Sequence, residues 1–137
     1  MNHTSPGSQV LQNQLPAIVW ALLIFVSSSI PSLAPTFQKD VPVDKLIHLL
    51  VFFVFAWLVY RALSRQSRFT VLRKNAKLFT IIVGIGYGVF DEVHQLFVRG
   101  RTSELHDVTA DAAGVFAFVL VAWLLEKRGQ SRDARAD

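Results

Sequence analysis

Four stretches of this chain are long and poor in charge: residues 15–34, 45–63, 77–98 and 108–126. At about 1.5 Å per residue, helices of these lengths cross most or all of a hydrocarbon layer of about 30 Å. A backbone surrounded by lipid must satisfy its own N–H and C=O groups, which leaves only helices and closed barrels. The runs are continuously apolar and lack the alternation of a barrel strand, so helices are predicted. Composition agrees, since 52% of the 137 residues are hydrophobic, 18% are charged and the mean hydropathy is +0.38. The chain therefore reads as all-α: a single membrane domain over residues 1–137, an integral bundle of four transmembrane helices, with 127–137 as a flexible basic tail. The absence of cysteine excludes disulfides and thiolate metal sites.

Charge placement predicts orientation. Arg61, Arg65, Arg68, Arg73, Lys74 and Lys77 lie around the loop between the second and third runs, and Lys127, Arg128, Arg132 and Arg135 lie in the tail. The opposite side has only Lys39, Lys45, Arg99 and Arg101. Basic residues gather on the cytoplasmic side, so both termini are expected there, in a multi-pass protein of the cytoplasmic (inner) membrane. The net charge of +4 is then a topology signal, and no nucleic-acid partner is expected. Ser32, Leu33 and Ala34 end the first run as a signal peptide would end. No Lys or Arg precedes that run, however, and Pro35 follows it, so a retained span is expected.

Polar residues converge at the opposite, outer side. The segment from Asp91 to Gly114 contains Asp91, Glu92, Glu104, Asp107 and Asp111, half of the chain's ten acids. Ionisable groups at membrane depth are costly and mark function by default. On the third helix Gly84, Tyr87, Gly88, Asp91, His94, Gln95 and Val98 recur at spacings of three and four and share a face, with Glu92 at its border. On the fourth, Asp107, Asp111, Gly114 and Phe118 align in the same way. Asp44, Lys45 and His48 stand at the outer end of the second helix. The glycines are read as close-packing positions for neighbouring helices.

DKLIH (Asp44–His48), DEVHQ (Asp91–Gln95), RGR (Arg99–Arg101) and DVTADAAG (Asp107–Gly114), in that order, resemble the VanZ-like family over roughly Asp44–Leu125. The resemblance implies a small polytopic membrane protein of the cell envelope, and the family's founding member is linked to resistance to the glycopeptide teicoplanin. It implies no chemical mechanism. The family's recurrent polar positions correspond here to Asp44, Lys45, His48, Asp91, Glu92, His94, Gln95, Arg101 and Asp107. Arg99 stands where proline is frequent, and Asp111 where asparagine is frequent.

Three readings of this constellation stay open. In the first, an outward pocket binds an anionic head group, with Lys45, Arg99 and Arg101 as cations and Gln95, Asp44, Asp107 and Asp111 completing the binding set. Membrane lipids, a lipid-linked cell-wall intermediate or an acylated glycopeptide would be the partner. In the second, Asp91, Glu92, His94 and His48 are catalytic, as acid, base or ligands to a divalent ion, acting on a lipid or lipid-linked substrate. No zinc spacing such as HExxH is present, so neither a metal nor a cofactor is named. In the third, the groups pair only with one another and lock the helices together. The sequence sets no oligomeric state.

Overall fold

The structure, a computed structural model, describes residues 6–31, 41–101 and 105–133. Over these residues the chain is helical, without a strand: α1 (Pro6–Ser29), α2 (Val41–Arg65), α3 (Thr70–Lys74), α4 (Ala76–Gln95) and α5 (Leu105–Asp133). Residues 32–34 of the first expected span, Lys39, Glu104 and residues 134–137 of the expected tail lie outside the described residues. Three helices are long and apolar enough to cross a membrane, across Leu11–Ser29, Val43–Arg65 and Leu105–Ser131. The other long helix, α4, spans 20 residues and carries Lys77, Asp91 and Glu92 among its apolar positions.

Local chemistry accounts for several boundaries. The last helical residue of α1 is Ser29, and Ile30, which precedes Pro31, is disfavoured from helical geometry by the proline ring. Pro42 falls in the first turn of α2, where its missing N–H has no helical partner to lose. Two elements depart from expectation. Residues 127–133, expected as a flexible tail, continue α5, because Glu126, Lys127, Arg128 and Gln130 favour helix even without an apolar face. The basic loop also contains α3, a single short helix.

Burial is inverted relative to a soluble protein. Leu22, Leu23, Val26, Ile47, Leu50, Ile82 and Leu120 are each more than half exposed, whereas Ser28, Thr80, Asp91, Glu92, Gln95, Asp107 and Asp111 are buried. Apolar side chains turned outward all round a bundle with a polar interior suit lipid as the surrounding solvent. The apolar core lies between the buried acids and the other end, built from Phe52, Phe55, Ala56 and Val59 of α2, Val115 and Phe118 of α5, and Ile24 of α1.

The four long helices alternate in direction, and α2 packs against the other three. At Gly114 an added Cβ would collide with the backbone oxygen of Leu49, so α5 and α2 touch backbone to backbone. Trp20 donates its indole N–H to the Val51 carbonyl at 3.1 Å. Tyr87 donates to the Ala21 carbonyl at 2.6 Å, so α1 is fastened to both α2 and α4. The C-terminal ends of α1 and α4 thus meet the N-terminal ends of α2 and α5, which places the acids of three helices at one end of the bundle.

Candidate functional site

This acidic end is assembled turn by turn. On α2, Asp44 and His48 are four residues apart and Lys45 lies three before His48, so all three point toward one side. On α5, Asp107 and Asp111 are also four apart and face them. The ladder closes in register: Lys45 forms an ion pair with Asp107, and His48 Nδ1 lies 2.9 Å from Asp111 Oδ1. Lys45 also reaches Asp44 Oδ2 at 3.3 Å.

α4 supplies the third wall. Asp91 and Glu92 are each 3% exposed, so Glu92 is as deep as Asp91 and not at the border of the buried face. The interior sector is wide because α4 packs against both α2 and α5. Gln95, one turn on, donates its amide N–H to Asp91 Oδ2 at 3.0 Å and to Glu92 Oε1 at 3.4 Å, holding the two carboxylates in place.

α1 completes the site, which the sequence did not reveal. Ser28 is 6% exposed and donates its hydroxyl to Asp91 Oδ1 at 2.7 Å. Three consecutive serines at the end of an apolar run were the available signal, but serine within a span is common and carries no periodicity.

The sequence-derived candidates do not all converge. His94 turns toward α1, stacks on Phe25 with ring centroids 4.4 Å apart, and lies 2.9 Å from the Ser29 hydroxyl. It shares a helix face with Asp91 but not its surroundings. Arg101 donates from Nε to the Ile30 carbonyl at 3.1 Å and from Nη2 to the Ser27 carbonyl at 2.9 Å. It therefore caps the C-terminal end of α1, where carbonyls lack helical partners and a cation is favoured. Gly100, at φ 84°, adopts the left-handed conformation that brings this loop round. Arg99 is exposed and outside the cavity described next.

Between α1, α2 and α4 a cavity of about 230 Å³ opens. Ser28, Asp44, His48, Asp91, Gln95 and Arg101 supply its polar lining, and Ile24, Ile47, Val51 and Phe52 its apolar lining. His48 has acids on two sides. Its ring and the carboxylates of Glu92 and Asp111 offer ligand atoms that all lie within 4.8 Å of one another, and so do those of Asp44, His48 and Asp107. The arrangement can hold a cation, orient an imidazole, or present hydrogen-bond partners to a polar group that enters the cavity.

A family model described as VanZ/LLP1 matches residues 12–126, which takes in α2, α3 and α4 whole, α1 from Gln12 onward and α5 up to Glu126. The chain belongs to the VanZ/LLP1 family. It is also similar to an uncharacterized protein of Schizosaccharomyces pombe, with 32% identity over 111 residues, covering 78% of this chain. The match takes in 65% of that curated relative. No solved structure matches. The motifs around Asp44–His48, Asp91–Gln95 and Asp107–Gly114, which carried the VanZ-like resemblance, all fall within the matched region. In this VanZ/LLP1 chain they are the segments that build the acidic end.

Proposed function

We propose that this VanZ/LLP1 protein crosses the cytoplasmic membrane four times, with both termini inside, and that the cavity at its acidic end receives the polar head of an amphiphile from the outer side. Support for α4 as the fourth span comes from its length, about 30 Å at 1.5 Å per residue, and from its burial of Asp91, Glu92 and Gln95 while Ile82, Val89 and Phe90 face outward. Support for the orientation comes from Arg61, Arg65, Arg68, Arg73, Lys74, Lys77, Lys127 and Arg128, which all lie at the other end of the bundle.

The observation that carries the reading is the mixed polar and apolar lining of the cavity. Part of the lining is apolar and reaches the lipid-facing surface at Ile47, and the rest offers hydroxyl, amide, carboxylate and imidazole groups. At about 230 Å³ it lies below the range of about 300–1,000 Å³ usual for whole small-molecule ligands, which suits a head group whose tail stays in the bilayer. Phospholipids, lipid-linked wall intermediates and acylated glycopeptides share that form. Where the amphiphile is an acylated glycopeptide, its capture would lower susceptibility to the drug.

Ile47→Trp narrows the cavity without removing a polar group. Native mass spectra of the protein in mild detergent should show lipid retained by the wild type and lost from this variant. Equal retention by both would place the lipid elsewhere and remove the reading. A catalytic reading is favoured by one contact. Asp111 Oδ1 fixes the His48 ring through Nδ1, as a carboxylate orients a general base, and His48 lines the cavity. Release of product from a lipid phosphoester, abolished in His48→Gln, would separate hydrolysis from binding.

A further inference from the structure

The cationic side chains near the cavity are already engaged by the protein itself. Lys45 is paired with Asp44 and Asp107, and Arg101 is bound to the carbonyls that end α1. Arg99, read from sequence as a head-group cation, is exposed and away from the cavity wall. The acids, in contrast, converge: Asp44 and Asp91 line the cavity, with Glu92, Asp107 and Asp111 around them. An anionic head group entering this space would meet carboxylates first.

One buried atom points to what resolves this. Asp111 is 1% exposed, and its Oδ2 has no hydrogen-bond partner. A carboxylate oxygen in that position is costly, because it has lost water without gaining a donor. Its direction is visible at Gly88, where an added Cβ would lie 3.1 Å from Oδ2. Gly88 is one turn before Glu92 on the same face of α4, so the bare oxygen is aimed at the helix face that carries the second acid.

We propose that His48, Glu92 and Asp111 bind a divalent cation, and that this ion supplies the positive charge for an anionic head group in the cavity. Each ligand comes from a different helix: α2, α4 and α5. Two carboxylates and a neutral imidazole match the charge of a divalent ion. The mixed nitrogen and oxygen set selects zinc, manganese or ferrous ions over magnesium and calcium, which take oxygen ligands. The overlapping group of Asp44, His48 and Asp107 shares the His48 ring but holds no buried oxygen without a hydrogen-bond partner. The ion site stands on the side chains alone, whereas its contact with a head group rests on the function proposed for the cavity.

The test uses the full chain without an affinity tag, purified in mild detergent, stripped with chelator and titrated with Zn²⁺ or Mn²⁺. About one ion per chain should bind. Glu92→Gln and Asp111→Asn, which keep side-chain shape, should each weaken binding by about tenfold or more, while Glu126→Gln at the opposite end should leave it unchanged. A wild-type protein that binds no ion overturns the site even if a variant fails to fold, and so does undiminished binding by both variants. Native mass spectra before and after chelation then test the second half of the proposal. Lipid lost together with the ion supports the bridging role. Lipid retained after the ion is removed refutes that role while leaving the cavity reading intact, and a protein that never retains lipid refutes the cavity reading while leaving the ion site intact.

Discussion

An acid, a lysine and a hydroxyl group meet at each end of this bundle, in very different surroundings. At the basic end Glu126 pairs with Lys77 and accepts a hydrogen bond from Tyr60 at 2.8 Å, but its side chain is 44% exposed. At the acidic end Asp107 pairs with Lys45 and Asp91 accepts from Ser28, and both acids are buried, the Asp107 side chain being 9% exposed. Water can replace any partner lost at the first site. At the second it cannot, so each buried group depends on the others. Charge identity alone therefore separates the two ends poorly, and burial separates them well.

The largest expected effect comes from removing one lysine at each end. Lys45→Ala leaves Asp107 buried without its ammonium and should cost about 3–5 kcal/mol, the usual penalty for breaking a buried ion pair. Lys77→Ala removes a partly exposed pair and should cost about 0–1 kcal/mol. Denaturation in mixed detergent micelles reads both. Equal losses would dissolve the distinction between the two ends.

A hydroxyl at each end sharpens the same contrast. Ser28→Ala removes a hydrogen bond to the buried Asp91 carboxylate and should cost about 1.5–3 kcal/mol, as for bonds to charged groups. In Tyr60→Phe, Glu126 keeps Lys77 and gains water, so a loss of at most about 1 kcal/mol is expected. The same denaturation measurement checks the pair. A Tyr60 loss matching that of Ser28 would mean that the basic end is drier than its exposure indicates.

The helices of the acidic end were largely legible in the sequence. Apolar run length marked all four long helices, and the spacing of Gly84, Gly88, Asp91 and Gln95 marked the face of α4 that is in fact buried. Short α3 and the last turns of α5 were not legible, because neither has an apolar stripe to signal packing. Within the site, periodicity places a side chain on a face but does not say which helix will cover that face. His94 and Asp91 share a spacing and still meet different neighbours, Phe25 with Ser29 and Ser28 with Gln95 respectively. Arg101 looked like a ligand for an anion because its charge was legible, whereas the free carbonyls ending α1 were not. Ser28 was missed for the opposite reason, since nothing in an apolar run singles out one serine.

Glycine replacements give the finest test of the contrast. At Gly88 an added Cβ would lie 3.1 Å from Asp111 Oδ2, 3.2 Å from Asp111 Cβ and 3.4 Å from the Phe52 ring. Asp111 is held through Oδ1 by His48, so its carboxylate cannot swing aside without giving up that contact. Gly88→Ala should therefore cost about 1–3 kcal/mol, the range for overpacking a tight interior. At Gly129, near the basic end of α5, an added Cβ meets nothing within 4 Å. There only backbone entropy changes, and Gly129→Ala should stabilise the protein by about 0.5–1 kcal/mol. The two signs must differ if the acidic end is packed and the basic end is open. If Gly88→Ala were as harmless as Gly129→Ala, Asp111 would have room to move, and its bare oxygen would no longer be fixed toward Glu92.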